Sequence, residues 1–323
     1  GRFLYSGLDT TYQWYVPVSY TLASNLTQFT NTTLTQWLHP NETFEIKVKS
    51  VDEEWVILNN QASGYYRVHY GDMWHNISRS LQSSNFSDIP DLNRAQLLDD
   101  LFAFGRARMV NYSLILDFTQ YLSSEESHYS WDVAIKGFNY ILRRADNNLK
   151  PVILEYIFKL IERVYSTVSW DPKDNEADYL YTTKQIDILT GACHFGYAAC
   201  VDTALEKFER FYLTGNKPHK NVRQLVYCMA IRHATDSSYW DFLWRVYDIT
   251  STENEKMKLL FAFGCTQNEN QLKTYLQMSL DATSDIKPQD ASAVFSAVCS
   301  SSSLGAKIAF EFLVENQDKI LER

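Results

Sequence analysis

At 323 residues the chain is long enough for two or three compact units of roughly 100–200 residues each. A 45% hydrophobic and 15% aromatic content excludes disorder over most of its length. Its 30 Lys and Arg stand against 39 Asp and Glu, a formal charge of −9 without a basic run that would neutralise a phosphate backbone, which argues against a nucleic-acid partner. No apolar stretch approaches the roughly 20 residues that cross a bilayer, and the opening Gly1-Arg2-Phe3-Leu4-Tyr5 lacks a signal-peptide pattern, so any membrane attachment is expected from segments outside this chain.

In chain order, Tyr12 to Tyr20 alternates apolar and polar residues, and Thr43 to Ser50 does so again with Phe44, Ile46 and Val48 against Glu45, Lys47 and Lys49; both read as strands with one wet face. Trp55-Val-Ile-Leu58, the turn residues Asn59 and Asn60, and Gly64 to Tyr70 read as two more β segments joined by a short connection. Near Gly71-Asp72 the β signal stops, and apolar residues recur at helical spacing from there to the end. Asp91 opens a helix carrying Leu97, Leu98, Leu101, Phe102 and Phe104. Apolar stripes then predict helices over 131–144, 151–165, 182–192, 201–212, 221–233, 238–247, 253–263, 270–280 and 288–298. Helices of this length, one after another, solve their burial problem by stacking in pairs. The expected architecture is an α-superhelix of irregular, HEAT- or armadillo-like repeats, and Leu98 to Gly105 echoes Leu259 to Gly264 in pattern.

The search for chemistry yields little. A His-Glu-x-x-His helix, which sets two imidazoles on one face beside a carboxylate base, does not occur. The histidines at 39, 69, 75, 128, 194, 219 and 233 are scattered, with no two of them four apart. Phosphate loops and the Gly-x-Ser-x-Gly elbow are equally missing from the sequence. The adjacent acids Asp99-Asp100, Glu53-Glu54 and Glu125-Glu126 would point about 100° apart on a helix, so they read as solvated residues, with helix-start charge for Glu125-Glu126. Trp240, Trp244 and Tyr247 stand at i, i+4 and i+7 and read as a packed core face. The expected catalytic and metal-binding residues are therefore none.

Two signals concern compartment. Asn-x-Ser/Thr sequons at Asn25, Asn31, Asn41, Asn76, Asn85 and Asn111 all lie in the first third and point to N-glycosylation. The cysteines at 193, 200, 228, 265 and 299 fall in the second half without a Cys-x-x-Cys pair, which argues against a sulfur-ligated metal. Cys193 and Cys200 suit a disulfide at a helix-to-helix corner, while Cys299 sits in an Ala/Ser/Val-rich helix pattern and reads as a buried thiol.

The segment Trp55-Val-Ile-Leu-Asn-Asn-Gln-Ala-Ser-Gly-Tyr-Tyr-Arg-Val68 resembles the junction between the β-sandwich and the C-terminal helical domain of the zinc aminopeptidases of the aminopeptidase N type, the gluzincins. Arg2 to Tyr5 and Tyr12-Gln-Trp-Tyr-Val-Pro-Val18 resemble that family's sandwich strands, and Asn93-Arg-Ala-Gln-Leu-Leu-Asp-Asp-Leu-Phe-Ala103 its helical-domain signature, in the family's order. The resemblance covers essentially the whole chain and extends to insect midgut membrane alanyl aminopeptidases. It implies a partial β-sandwich over 1–52 and an α-superhelical C-terminal domain over 53–323 that opens with a short β segment at 54–70. It also implies disulfides pairing Cys193 with Cys200 and Cys228 with Cys265. In that family the zinc-binding His-Glu-x-x-His helix and the Gly-x-Met-Glu-Asn loop lie N-terminal to the sandwich. Zinc is therefore expected in the parent enzyme outside this chain, no cofactor within it, and the chain reads as a fragment of a larger protein. By the same resemblance it would be the non-catalytic cover of an ectoenzyme that removes N-terminal residues from peptides on the extracellular face of the plasma membrane, held there by segments such as a GPI anchor outside this chain. A homodimer, or a bacterial crystal toxin or virus using the region as receptor, are the further partners it implies; a helical-repeat adaptor unrelated to any enzyme is the remaining alternative.

Overall fold

The computed structural model describes residues 13–48, 54–83, 86–172 and 179–321. The described residues are mostly helical, with a small strand region at the start. Chain contacts separate them into two compact units, residues 1–167 and 168–323.

In the first unit one extended run is split at Ser19 into β1 (Val16–Val18) and β2 (Tyr20–Leu22). The two halves pair with different partners. β1 runs antiparallel to β3 (Gln36–Leu38), with Pro17 opposite Trp37, and β2 runs antiparallel to β4 (Val56–Leu58), with Thr21 opposite Ile57. A 3-10 turn, Leu26–Thr30, closes the space between them and buries Phe29. The helices α1 (Met73–Leu81), α2 (Asp91–Arg106), α3 (Tyr112–Phe118), α4 (His128–Leu142) and α5 (Lys150–Ser166) follow. α2 and α4 are the most closely packed pair. Phe102 meets Phe138 edge to face at 5.8 Å, and a Cβ on Gly137 would fall 2.5 Å from the Phe102 ring, so only glycine lets the two helices approach this closely.

The second unit comprises α6 (Tyr179–Phe195), α7 (Ala198–Thr214), α8 (Arg223–His233), α9 (Ser238–Ile249), α10 (Glu253–Phe263), α11 (Glu269–Leu280), α12 (Ala291–Ser301), α13 (Ser303–Glu315) and α14 (Gln317–Leu321). Local chemistry marks several ends. α7 stops at Gly215, whose φ of 74° is the left-handed conformation that glycine adopts without strain. The Asn268 side chain accepts from the N–H groups of Asn270 and Gln271 at the start of α11. The core is aromatic: Trp244 stacks on Phe263 at 4.3 Å, and Phe208 and Phe211 pack against Tyr227 and Phe242. Trp240, Trp244 and Tyr247 form part of this packed face, with the Trp240 ring 4.9 Å from Phe263.

Several expectations change. Residues 43–48 form no strand; their alternation persists only as alternating burial, with Phe44, Ile46 and Val48 half-buried and Glu45 and Lys47 exposed, while 49 and 50 lie outside the described residues. Gly64 to Tyr70 forms no strand either, because its polar groups bond to side chains rather than to a neighbouring strand. The 3-10 turn Pro288–Asp290 precedes α12, so that helix begins three residues later than its apolar stripe predicts. β3, α1, α3, α13 and α14 carry no matching expectation. The strand expected at Tyr12, the resembling segment Arg2 to Tyr5, and Glu53 and Asn85 fall wholly or partly outside the described residues.

Candidate functional site

Two of the sequence segments that carry the family resemblance, 55–68 and 93–103, meet in space. After β4 the backbone turns through Asn59, Gln61 and Ala62 at φ values of 65°, 52° and 54°, a left-handed conformation that side chains with a Cβ rarely adopt. Hydrogen bonds from distant parts of the chain hold this turn. The Asn59 N–H donates to the Ser19 carbonyl (2.8 Å) and the Asn60 N–H to Ser19 Oγ (3.0 Å), so the break between β1 and β2 is where the turn docks. The buried Asn60 amide donates to the carbonyls of Gln28 (2.8 Å) and Asn31 (2.9 Å) and accepts from Thr21 Oγ1 (3.0 Å). From α2, Asn93 accepts from the Gln61 N–H (2.8 Å) and donates to the Asn59 carbonyl (3.1 Å).

One turn further along, the strap 64–70 is gripped by the acids of α2. Arg67 Nη1 donates to Asp99 Oδ2 (2.5 Å) and Asp100 Oδ1 (3.0 Å), and the Val68 N–H donates to Asp100 Oδ2 (3.0 Å). The expectation that Asp99 and Asp100 are unrelated solvated acids is therefore corrected: both accept from the same nitrogen, Arg67 Nη1, which arrives between them. Burial pushes the Asp100 carboxyl up to about 6, against the pull of the Val68 N–H and Arg67.

The pair Glu125-Glu126 needs the same correction. Glu125 precedes α4 rather than lying on it. It is buried, forms a two-point ion pair with Arg94 (2.5 and 2.9 Å), and accepts the N–H groups of Glu126 and Ser127 that open the helix. Arg94 also donates Nη1 to the Ile89 carbonyl (2.6 Å) and lies over the Phe86 ring. Glu126, more exposed, reaches Arg163. Glu54 is buried as well and accepts the Ser24 N–H.

The second unit contains a charged centre of another kind. Glu255, near the start of α10, is buried and accepts from Arg223 Nη1 (3.1 Å) and the Tyr227 hydroxyl (3.1 Å), with Lys258 Nζ at 3.7 Å and Lys217 Nζ at 3.9 Å. Burial pushes the Tyr227 phenol well up, and Glu255 adds to the shift. Burial pulls the Lys258 ammonium down, with Glu255 opposing and Arg223 adding. Three cations thus face one carboxylate. Sequence reading missed this centre; the available signal was Lys217-Pro-His-Lys-Asn-Val-Arg223, three cations in seven residues of an otherwise acidic chain.

The remaining sequence-derived residues take the following positions. Cys193 at the end of α6 is bonded to Cys200 at the start of α7 (Cα–Cα 5.1 Å), and Cys228 of α8 to Cys265 just after α10 (5.3 Å). Cys299 is a half-buried free thiol, more accessible than expected. Asn25, Asn31, Asn41 and Asn111 are exposed, whereas Asn76 is half-buried within α1 and its sequon partner Ser78 is buried. Of the histidines, His69 and His75 share a shallow cleft with Asp72, Trp74, Asn111 and Asp117. Among the described residues no group of three His, Cys, Asp or Glu side chains could hold a metal ion, and no helix is long and apolar enough to cross a membrane.

The chain is similar along most of its length to a membrane alanyl aminopeptidase of Manduca sexta, 29% identical over 309 residues that make up 95% of this chain and 31% of the relative. It is similar to an aminopeptidase N of Plutella xylostella (29% over 308 residues; 94% and 32%) and to aminopeptidase Ey of Gallus gallus (28% over 314; 94% and 31%). It thus spans about a third of the length of these curated relatives. The model of the ERAP1-like C-terminal domain matches residues 55–323, a stretch that opens at the Trp55 junction and takes in both charged centres, and the chain belongs to that family.

Proposed function

We propose that this chain is the non-catalytic C-terminal region of a zinc metalloaminopeptidase that removes N-terminal residues from peptides at the extracellular face of the plasma membrane. The observation that carries the reading is the family match over 55–323 together with relatives along about 95% of the chain whose names are all aminopeptidases. In this reading residues 1–52 complete a β-sandwich, 53–323 form the α-superhelical domain, and the zinc-binding helix lies upstream of residue 1. The described residues of this chain have no part in bond cleavage; their role is to close the substrate chamber and to provide surfaces for dimerisation. The clasp of Asn59, Asn60 and Asn93 supports this role, because it fixes the β region to the first long helix within one compact unit. The Cys193–Cys200 and Cys228–Cys265 bonds suit an oxidising compartment, as do N-glycans at the sequons. The exposed Asn25, Asn31, Asn41 and Asn111 are the feature that supports the second reading, a glycan-bearing receptor surface for a crystal toxin or virus.

The test is expression of the complete coding sequence, with and without residues 55–323, in a secretory host, followed by hydrolysis of aminoacyl amides before and after zinc chelation. Chelator-sensitive release of N-terminal residues by the complete protein, lost or much reduced without 55–323, is the expected result. A complete protein that lacks an upstream His-Glu-x-x-His helix, or that has it and cleaves nothing, would overturn the reading.

A further inference from the structure

We propose that the shallow cleft between α1 and α3 seats the first N-acetylglucosamine of a glycan carried by Asn111, a residue that is itself part of the cleft wall. The inference rests on the secretory placement proposed above and gives one glycan of that surface a site of its own.

The first argument is the character of the wall. The cleft measures about 500 Å³, within the roughly 300–1,000 Å³ of sites that hold small ligands. Its lining combines the apolar Trp74, Met109 and Leu114 with the polar Asp72, His75 and Asp117. A pyranose has the same division, with C–H groups on its faces and hydroxyls around its edge. Asp72 and His75 are exposed, and neither side chain bonds to another described residue, so both are free to meet hydroxyls. The buried Nε1 of Trp74 likewise has no acceptor among the described residues, a vacancy that native structures seldom leave.

The second argument is Met109. α2 ends with Arg108 at φ 59°, and the Met109 N–H donates back to the Phe104 carbonyl (2.9 Å), the closing bond of a Schellman turn. In that turn the residue at the position of Met109 commonly packs back onto the helix it follows. Here 53% of Met109 stays exposed, which leaves an apolar wall without cover.

The third argument selects the occupant. An open cleft gives a free sugar little enclosure, but Asn111-Tyr-Ser113 is a sequon whose Asn is exposed and lies in the lining. Asn111 is the N-cap of α3, yet its side chain accepts no N–H from the first turn, so modifying it removes no cap. The host transferase joins Asn111 Nδ2 to the anomeric carbon of a lipid pyrophosphate-linked oligosaccharide, and the lipid pyrophosphate leaves with the displaced amide proton. Once attached, the sugar faces the cleft at an effective concentration on the order of millimolar, enough to populate a weak site that a free sugar would leave empty.

The experiment expresses the complete protein in a glycosylating secretory host and follows release of each glycan by a peptide N-glycosidase, using glycopeptide mass spectrometry. Rates on the folded protein are divided by those on the denatured protein. Release at Asn111 is expected to be about fivefold slower than at Asn25, Asn31 and Asn41. Met109→Asp charges the apolar wall and His75→Ala removes a polar group from it; each should bring Asn111 to within about twofold of the other sites. Leu149→Asp places the same charge on an equally exposed residue (53%) outside the cleft and should leave Asn111 slow. Circular dichroism melts confirm folding, and His75→Ala decides the matter if Met109→Asp does not fold. A bare Asn111 beside modified sequons, release as fast as elsewhere, slow release that persists in the folded cleft variants, or protection lost equally in Leu149→Asp would each overturn this inference alone. A chain without glycan at any sequon would overturn the secretory placement together with it.

Discussion

The two units keep their shape by different means. In the first, geometry depends on networks of buried polar groups: Asn60 bridges two backbone carbonyls and a threonine, and Arg94 is held by Glu125 and the Ile89 carbonyl. In the second, covalent ties and stacked rings carry the burden, with two disulfides and the rings around Phe208, Trp244 and Phe263. Polar networks fail abruptly, because the partner left behind is a buried orphan. A lost disulfide acts instead through the unfolded chain, which regains the entropy of the opened loop.

Five substitutions break or sharpen that contrast. Glu125→Ala leaves the Arg94 guanidinium buried without an acid and is expected to cost up to about 5 kcal/mol, read as lost amide-exchange protection over α2 and α4. Replacing Cys228 and Cys265 with Ser opens a loop of 37 residues, for which chain entropy gives roughly 4 kcal/mol in urea unfolding. The Cys193 and Cys200 pair, separated by 7, gives roughly 2.5 kcal/mol on the same basis; an effect as large as that of the longer loop would show that the entropic account is wrong here. Asn60→Ala abandons two carbonyls and the Thr21 hydroxyl and should cost about 2 kcal/mol, with exchange rising in residues 26–31.

The fifth concerns pH. The folded Asp100 carboxyl titrates near 6, above its unfolded value of 3.8, so the folded state binds the extra proton between those limits. Its contribution therefore becomes more favourable as pH falls from 6 towards 4 and is least favourable above 6. Asp100→Asn should remove on the order of 1 kcal/mol per pH unit of that dependence, measured as the difference in unfolding midpoints between pH 4 and pH 6. An unchanged slope would mean that Arg67 holds the carboxylate charged through the window.

What the sequence made legible follows from range. Helices with a strong apolar stripe and local stop signals were readable: α10 spans Glu253–Phe263 as its pattern predicts, and Gly264 after it is required because a Cβ there would meet the Ala297 backbone at 2.5 Å. The corresponding glycine of the echoed segment, Gly105, faces only the tip of the Ile115 side chain, so the echo in pattern does not extend to the same backbone contact. Features decided by residues far along the chain were not readable. The segment 43–48 alternates like a strand but pairs with nothing among the described residues, and 64–70 gives its amides to Asn59 and Asp100 instead of to a ladder. The Glu125 misreading came from assuming a helix that begins three residues later, and the basic centre around Glu255 stayed hidden because its members are spread from Lys217 to Lys258.

The left-handed turn at Asn59 to Ala62 also bears on the order in which the chain assembles. Its backbone angles are unfavourable alone, and the hydrogen bonds that hold it reach back to Ser19, Gln28 and Asn31 and forward to Asn93, some thirty to forty residues away. Local bonds between Asn59 and Gly64 support the turn, but most of its partners lie in those distant segments, and loop closure must precede that part of the reward. The clasp is therefore a late event, completed after α2 exists to receive it. Destabilising it should accelerate unfolding while leaving the rate of folding almost unchanged.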